Sequence, residues 1–327
     1  MSERSDLLAS IANTTKDYRA GEIIAPTPEH VDRWLAQFAE DVHLPLLREI
    51  DHVLKKTYLT KDSVVGFLTN LVKSEQLAGE EPCTFWKGVR FLNIQRGGNS
   101  QREMLAMFAS ILERECGLKL EDCGKEPQNF LYLDDALFSG NRIKNDLRPW
   151  IKNDAPPEGR VHVVTIALHR GGQYYAKEGI EQMAREVNKR IELTWWRAVE
   201  LEDTKLRTNS SDVLRPTTLS QDARVQAYVA GMRFKPVLRT PPSRGEHEFF
   251  SSEDGRALVE QTFLKAGVDI RDQCPYLNVY QRPLGNMVLE TLGFGSMIVT
   301  FRNCPNNAPL ALWAGDPWYP LFPRKIN

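Results

Sequence analysis

Three nearly unbroken apolar runs constrain this chain most: GVRFLNIQ at 88–95, the stretch 130–134 that opens FLYL and ends on Asp134, and VHVVTIAL at 161–168. Strands covered on both faces read this way, whereas strands with a wet face alternate. Helical patterns separate the runs. After 88–95 comes the turn Arg96-Gly97-Gly98-Asn99, then a helix whose Met104, Leu105, Phe108, Ile111 and Leu112 fall on one face. Ser100 with Glu103 reads as its capping box and Gly117 as its close. A short helix limited by Pro149 follows the second run. The third ends in His169-Arg170-Gly171-Gly172 and feeds a helix carrying Ala176, Ile180, Met183, Ala184 and Val187, before a fourth strand at 191–199. Strands alternating with helices predict an α/β fold, a parallel sheet flanked by helices.

The flanks differ. Residues 1–26 read as loosely ordered. Thr27-Pro28 starts a helix with Val31, Trp34, Leu35 and Phe38 at helical spacing, a second follows Pro45, and Asp62 caps a third. These stripes are ordinary core faces first of all. Residues 203–260 are polar and proline-punctuated, which suggests irregular structure. A helix near 255–266 and strand-like runs at 296–301 and 309–313 follow, and the chain ends in the aromatic cluster WAGDPWYPLFPR. The expected division is a helical region at 1–84, an α/β core at 85–202 and a C-terminal extension or hood at 203–327.

With 327 residues, 42% of them apolar, the chain can bury a real core. Its formal net charge of −1 gives no electrostatic reason for a nucleic-acid or anionic-membrane partner. No apolar run approaches a membrane span, and the N-terminus lacks an apolar signal core. Five cysteines, odd in number and without a CxxC, read as reduced thiols in a cytoplasmic protein. Six scattered histidines make no HExxH, so no metal held by protein alone is expected.

The chemistry concentrates at 130–141. A buried strand runs into Asp134-Asp135, and Ala136, Leu137 and Phe138 lead to Ser139-Gly140-Asn141. Open parallel sheets bind ligands beyond the carboxyl ends of their strands. Two adjacent carboxylates there repel and need satisfying. Vicinal ribose hydroxyls would do so, as would magnesium held through water. The turn that follows has amides and a helix N-terminus suited to a phosphate. An Asx turn with a helix cap explains the pair of acids equally well. Phosphoacceptor receivers need a third Asp and a later Lys, and haloacid-dehalogenase-like enzymes need DxD; neither pattern is evident.

Four apolar residues, Asp-Asp, three variable residues and Ser-Gly resemble the PRPP-binding motif of type I phosphoribosyltransferases. The resemblance implies that Asp134 and Asp135 hold the ribose hydroxyls and magnesium-bound water. It gives Ala136, Leu137, Phe138, Ser139, Gly140 and Asn141 the 5-phosphate. Arg96, Gly97, Gly98 and Asn99 stand where that family binds pyrophosphate, although Gly-Gly is also a plain turn signal. The segment ALHRGGQYYAKEGI is similar to the next strand and loop of orotate-type members, which makes Arg170 a lip residue. Purine-type members carry an acid where this chain has Phe138.

A narrower resemblance covers the front, VDRWLAQFAEDVHLPLLREIDHVLKKTYL, and the end, FRNCPNNAPLALWAGDPWYPLFPR. Both are similar to the phosphoribosyltransferase-like effector family of prokaryotic conflict systems. That family implies a type I phosphoribosyltransferase fold, Mg2+ with PRPP or a nucleotide, and a toxin of a retron or ATPase-linked operon. Its partner would be the defence ATPase or reverse transcriptase, docked on apolar faces of the helical front; a homo-oligomer stays open. Asp316, Trp318 and Tyr319 become candidates to cover the base, though a C-terminal aromatic plug accounts for the tail equally well. Two rivals from other classes stand beside the enzyme: a non-catalytic PRPP or nucleotide sensor, and a scaffold for the partner.

Overall fold

The computed structural model describes residues 2–125, 127–240 and 243–325. Along the chain come α1 (Glu3–Thr14), α2 (Pro28–Leu35), α3 (His43–Thr57), β1 (Tyr58–Leu59), α4 (Lys61–Val72), α5 (Glu75–Ala78) and α6 (Pro82–Gly88). Then follow β2 (Val89–Phe91), α7 (Ser100–Cys116), β3 (Asn129–Leu137), α8 (Asn141–Asn153), β4 (Glu158–His169), α9 (Arg170–Glu186) and β5 (Arg190–Leu201). The last stretch holds α10 (Ala223–Ala230), α11 (Glu253–Gln273), β6 (Gln281–Arg282), β7 (Gly285–Asn286), β8 (Val299–Thr300) and α12 (Leu310–Trp313). Among the described residues no helix is long and apolar enough to cross a membrane.

The chain divides into two compact units: 62–200, and 1–61 with 201–326. The sequence suggested three consecutive segments, 1–84, 85–202 and 203–327. In these units the first three helices go with the tail, and most of α4, with α5 and α6, goes with the α/β core.

The 62–200 unit is built on a four-stranded sheet in the order β2-β3-β4-β5, with β2–β3 and β3–β4 paired in parallel. Asp134 lies beside Thr165 in the register. On one face Phe130, Tyr132, Val161, Val163 and Ile191 meet Ile143, Leu147 and Trp150 of α8 and Ala176, Ile180 and Met183 of α9. Pro149 does not end α8 as its sequence suggested; it sits inside the helix. A proline there lacks one backbone donor but meets the φ that a helix requires. The 88–95 run forms a ladder only at 89–91, although the Leu92 amide still donates to Leu131.

A disulfide joins Cys83 to Cys116, with Cα atoms 5.4 Å apart, correcting the expectation of reduced thiols throughout. Helices α6 and α7 bring together two residues separated by 33 in sequence, a proximity that an odd count without CxxC leaves invisible. Cys123, Cys274 and Cys304 are free thiols.

In the other unit Ser2 caps α1, whose Leu8, Ile11 and Ala12 are buried, so 1–26 is more ordered than expected. Thr27 caps α2 as predicted, accepting from the His30 amide. The apolar stripes of α2 and α3 are buried. Of the strand-like tail runs, 296–301 supplies only the two residues of β8, paired with β1, and 309–313 is helical. The helix expected near 255–266 extends over Glu253–Gln273. The polar stretch before it is held by a buried ionic cluster: Arg239 Nη2 lies 2.9 Å from Glu260 Oε2, and Arg256 Nε lies 2.8 Å from Glu260 Oε1.

Candidate functional site

Helices α7, α8 and α9 each begin just past the carboxyl end of a strand of the one parallel sheet. The residues singled out at 96–99, 134–141 and 170 therefore share one edge of the 62–200 unit. Asp134 and the Ser100 hydroxyl are hydrogen-bonded, so the acid pair and the loop 96–99 are in direct reach of each other.

The two acids have different surroundings. Strand β3 continues to Leu137, so Asp134 and Asp135 both lie within the strand, and Asp134 pairs with Thr165. Asp134 is buried and Asp135 half-buried. Asp134 Oδ1 accepts the Asp135 amide at 2.9 Å, and Asp135 Oδ1 accepts the Ala136 amide at 2.8 Å. Burial first, and then the Asp135 charge, push Asp134 up to about 7, against the Ser100 hydroxyl, the Asp135 amide and the Arg142 guanidinium. Near neutral pH this carboxyl exchanges between forms that accept and that donate hydrogen bonds. The Thr165 hydroxyl, beside Asp134 in the register, is buried and finds no hydrogen-bond partner among the described residues.

The turn 138–141 is wedged against α9. Gly140, at φ +74°, is the N-cap of α8, and no side chain bonds as a cap there. The Ser139 hydroxyl lies 3.4 Å from the Asn141 amide. A hydroxyl and uncapped helix amides can hold an anion. Phe138 packs its ring on the buried His169, centroids 4.8 Å apart. Burial pushes His169 down to about 3, so it is neutral, and no acid stands at this place.

The loop before α7 is capped differently from the predicted box. Asn99 is the N-cap and makes no side-chain cap bond; Gln95 Oε1 instead accepts the Gln101 amide at 3.1 Å. Gln101 Oε1 in turn accepts from the amides of Ile94 and Gln95, at 2.7 and 2.9 Å. A glutamine pair thus does the capping, and the Ser100 hydroxyl is turned to Gln95 and Asp134. Arg96, Gly97 and Gly98 are exposed, and Gly98 has φ +84°.

A family model described as PRTase-CE matches residues 31–324. The chain belongs to the PRTase-CE family. The resemblance drawn from the front, the acid turn and the tail is borne out, and so is the type I phosphoribosyltransferase-like α/β fold. No curated protein and no solved structure matches the chain.

Within this PRTase-CE fold the remaining candidates divide. Arg170 is the first residue of α9 rather than part of a loop, and its Nε donates to Glu200 Oε1 at 2.6 Å. The tail candidates belong to the other unit, where its helices engage them. Trp318 packs on Phe38 and donates to the Ala311 carbonyl. The Tyr319 hydroxyl meets His30 Nδ1 at 2.7 Å, and Arg33 covers its ring.

Sequence reasoning missed Tyr132 and Asp146. The Tyr132 hydroxyl, kept protonated by burial, donates to Asp146 Oδ2 at 2.9 Å and reaches Asp134 Oδ2 at 3.5 Å. Asp146 also takes a hydrogen bond from the Arg96 backbone, and burial raises its pKa against the pull of Tyr132, Arg142 and Arg96. The available signal was an acid in the apolar register of α8, one turn after Arg142. Among the described residues no group of three or more His, Cys, Asp or Glu could hold a metal ion. The hard oxygens of Asp134 and Asp135 fit magnesium that keeps its waters and shares ligand phosphates.

Proposed function

We propose that this PRTase-CE chain acts at C1 of the ribose of PRPP or of a nucleotide. The supporting observation is one sheet edge carrying an acid pair between two glycine-bearing turns, with Ser100 of the first turn bonded to Asp134. Asp135 and ionised Asp134 accept the ribose hydroxyls. Ser139, Gly140, Asn141 and the neighbouring amides from Ala136 onward hold the 5-phosphate at the start of α8. Arg96, Gly97, Gly98 and Asn99 receive the pyrophosphate. Bound magnesium would neutralise charge on ribose and pyrophosphate oxygens, beside the two acids.

A nucleophile forms a bond to C1 as the C1–O bond to pyrophosphate breaks, and the electron pair departs with pyrophosphate. With a nucleotide and water, the C1–N bond breaks instead and the base leaves. The protein's part is to fix the sugar and stabilise charge on the departing group. Phe138 on neutral His169 supplies no acid to the base, so leaving-group stabilisation carries the larger share. Arg170 is proposed only as a lip residue.

We further propose that the chain is the cytoplasmic effector of an antiviral defence operon, restrained by a protein partner such as an ATPase or reverse transcriptase. Family membership supports this role. The experiment is expression with and without neighbouring genes, wild type beside Asp135→Asn, with growth, nucleotide pools and pyrophosphate measured. Harm and nucleotide loss in the unrestrained wild type alone are expected. Equal harm from a folded Asp135→Asn removes this site from the activity. Ligand binding without pyrophosphate release or nucleotide change favours the sensor.

A further inference from the structure

We infer that Asp146, with Arg142 and Tyr132, latches the loop 96–98 in the shape that receives pyrophosphate, a positioning role that rests on the phosphoribosyl-transfer reading above.

Arg142 and Asp146 are four residues apart on α8 and so share one face of its first two turns. Both grip the backbone of the same loop. Asp146 accepts a hydrogen bond from the Arg96 amide, and Arg142 Nη1 donates to the carbonyl of Gly97. Consecutive residues of the loop are thus held at a donor and at an acceptor, by a carboxylate and a guanidinium that also attract each other. Side-chain contacts alone would leave the loop's path open; two backbone bonds fix it.

The latch is anchored below. Asp146 is only 6% exposed, and a carboxylate so buried is tolerated only with close partners. The Tyr132 hydroxyl, rising from β3, supplies one at 2.9 Å. It also reaches toward Asp134, which is itself bonded to Ser100 at the far end of the loop. Strand β3, the first turns of α8 and both ends of the loop 96–100 therefore form one polar network. The hydrogen bonds that Asp146 and Arg142 make to the loop leave free the groups proposed to bind pyrophosphate, namely the amides of Gly97 to Asn99 and the Arg96 side chain. Asp146 acts through the loop and touches no substrate.

A group that shapes the pyrophosphate loop should matter only for ligands that carry pyrophosphate. The test measures dissociation constants of three probes with magnesium: PRPP, inorganic pyrophosphate and ribose 5-phosphate. Asp146→Ala should weaken PRPP and pyrophosphate by about tenfold or more, the scale of one charge-assisted hydrogen bond, and leave ribose 5-phosphate within about twofold. Asp146→Asn keeps a carbonyl for the Arg96 amide and should restore most of the loss. Tyr132→Phe should show the same selectivity, more weakly, and keeps the test alive if Asp146→Ala does not fold. Hydrogen exchange at residues 96–98 should quicken in Asp146→Ala without ligand. Equal weakening of all three probes means a general structural role and overturns the latch. Tighter pyrophosphate binding overturns it too, since Asp146 would then merely compete for Arg96 and Arg142. A wild type that binds none of the probes overturns the phosphoribosyl reading itself, a result distinct from either.

Discussion

Gly140 and Gly172 meet so closely that neither leaves room for a side chain: a Cβ on Gly140 would lie 2.2 Å from the Gly172 carbonyl oxygen, and one on Gly172 would lie 1.7 Å from that of Phe138. This contact presses the turn 138–141 onto the first turn of α9. Gly172→Ala must push backbone from backbone, at about 1–3 kcal/mol or more. Gly140→Ala adds a left-handed φ of +74°. Urea unfolding should show the loss, and binding of ribose 5-phosphate should weaken further than that of pyrophosphate. Unchanged stability in Gly172→Ala would contradict the packed turn.

The raised pKa of Asp134, about 7, has consequences of definite sign. The folded state holds this proton more tightly than the unfolded chain does. Its contribution therefore falls as pH rises from the usual carboxylate range to about 7 and is level above. Asp134→Asn should flatten the stability profile over that window. Ligand binding runs the other way, because the ionised carboxylate accepts from ribose hydroxyls at both oxygens and more strongly than the protonated form does. PRPP affinity should rise as pH passes upward through about 7, and Asp134→Asn should abolish that rise. Urea titrations and calorimetry between pH 5 and 8.5 check both.

Breaking the Cys83–Cys116 bond frees a loop with a sequence separation of 33. Chain entropy gives about 3–4 kcal/mol for such a loop. Reductant, or Cys83→Ser, should lower the unfolding midpoint by a corresponding amount, measured by urea unfolding with and without dithiothreitol. No change would mean that the bond contributes nothing beyond the packing of α6 on α7.

Glu260, fully buried, accepts from Arg239 and Arg256. Glu260→Ala leaves buried Arg256 without a carboxylate and Arg239 with Glu253 alone, and should cost about 3–5 kcal/mol. A Glu260→Ala protein with wild-type unfolding would show that water replaces the carboxylate.

The α/β core was legible because covered strands leave apolar runs, and Asp134-Asp135 was legible because carboxylates at such a strand end are expensive. Boundaries were less so: β3 runs through both acids to Leu137, since an isolated pair of polar residues does not end a strand that pairs again at Ala136 and Leu137. The Gln95–Gln101 cap lacks the Ser-Glu signature that was sought, and the Tyr132–Asp146 bond spans 14 residues between elements of different period. The 309–313 run is apolar in either state, and a single turn of helix, α12, is too short to show a period. Trp318 and Tyr319 read as ligand-facing aromatics, whereas Phe38 and His30, far away in sequence, engage them.

The most direct test of the central claim is binding of magnesium PRPP to wild type and to Asp134→Asn/Asp135→Asn, followed by thermal unfolding. At ligand a hundredfold above its dissociation constant, linkage predicts a stabilisation of roughly 2.7 kcal/mol for the wild type. The double mutant should stay folded and lose that shift. An undiminished shift in the double mutant, or none in the wild type with PRPP or any ribonucleoside 5-phosphate, would contradict the assignment of this sheet edge as a phosphoribosyl site.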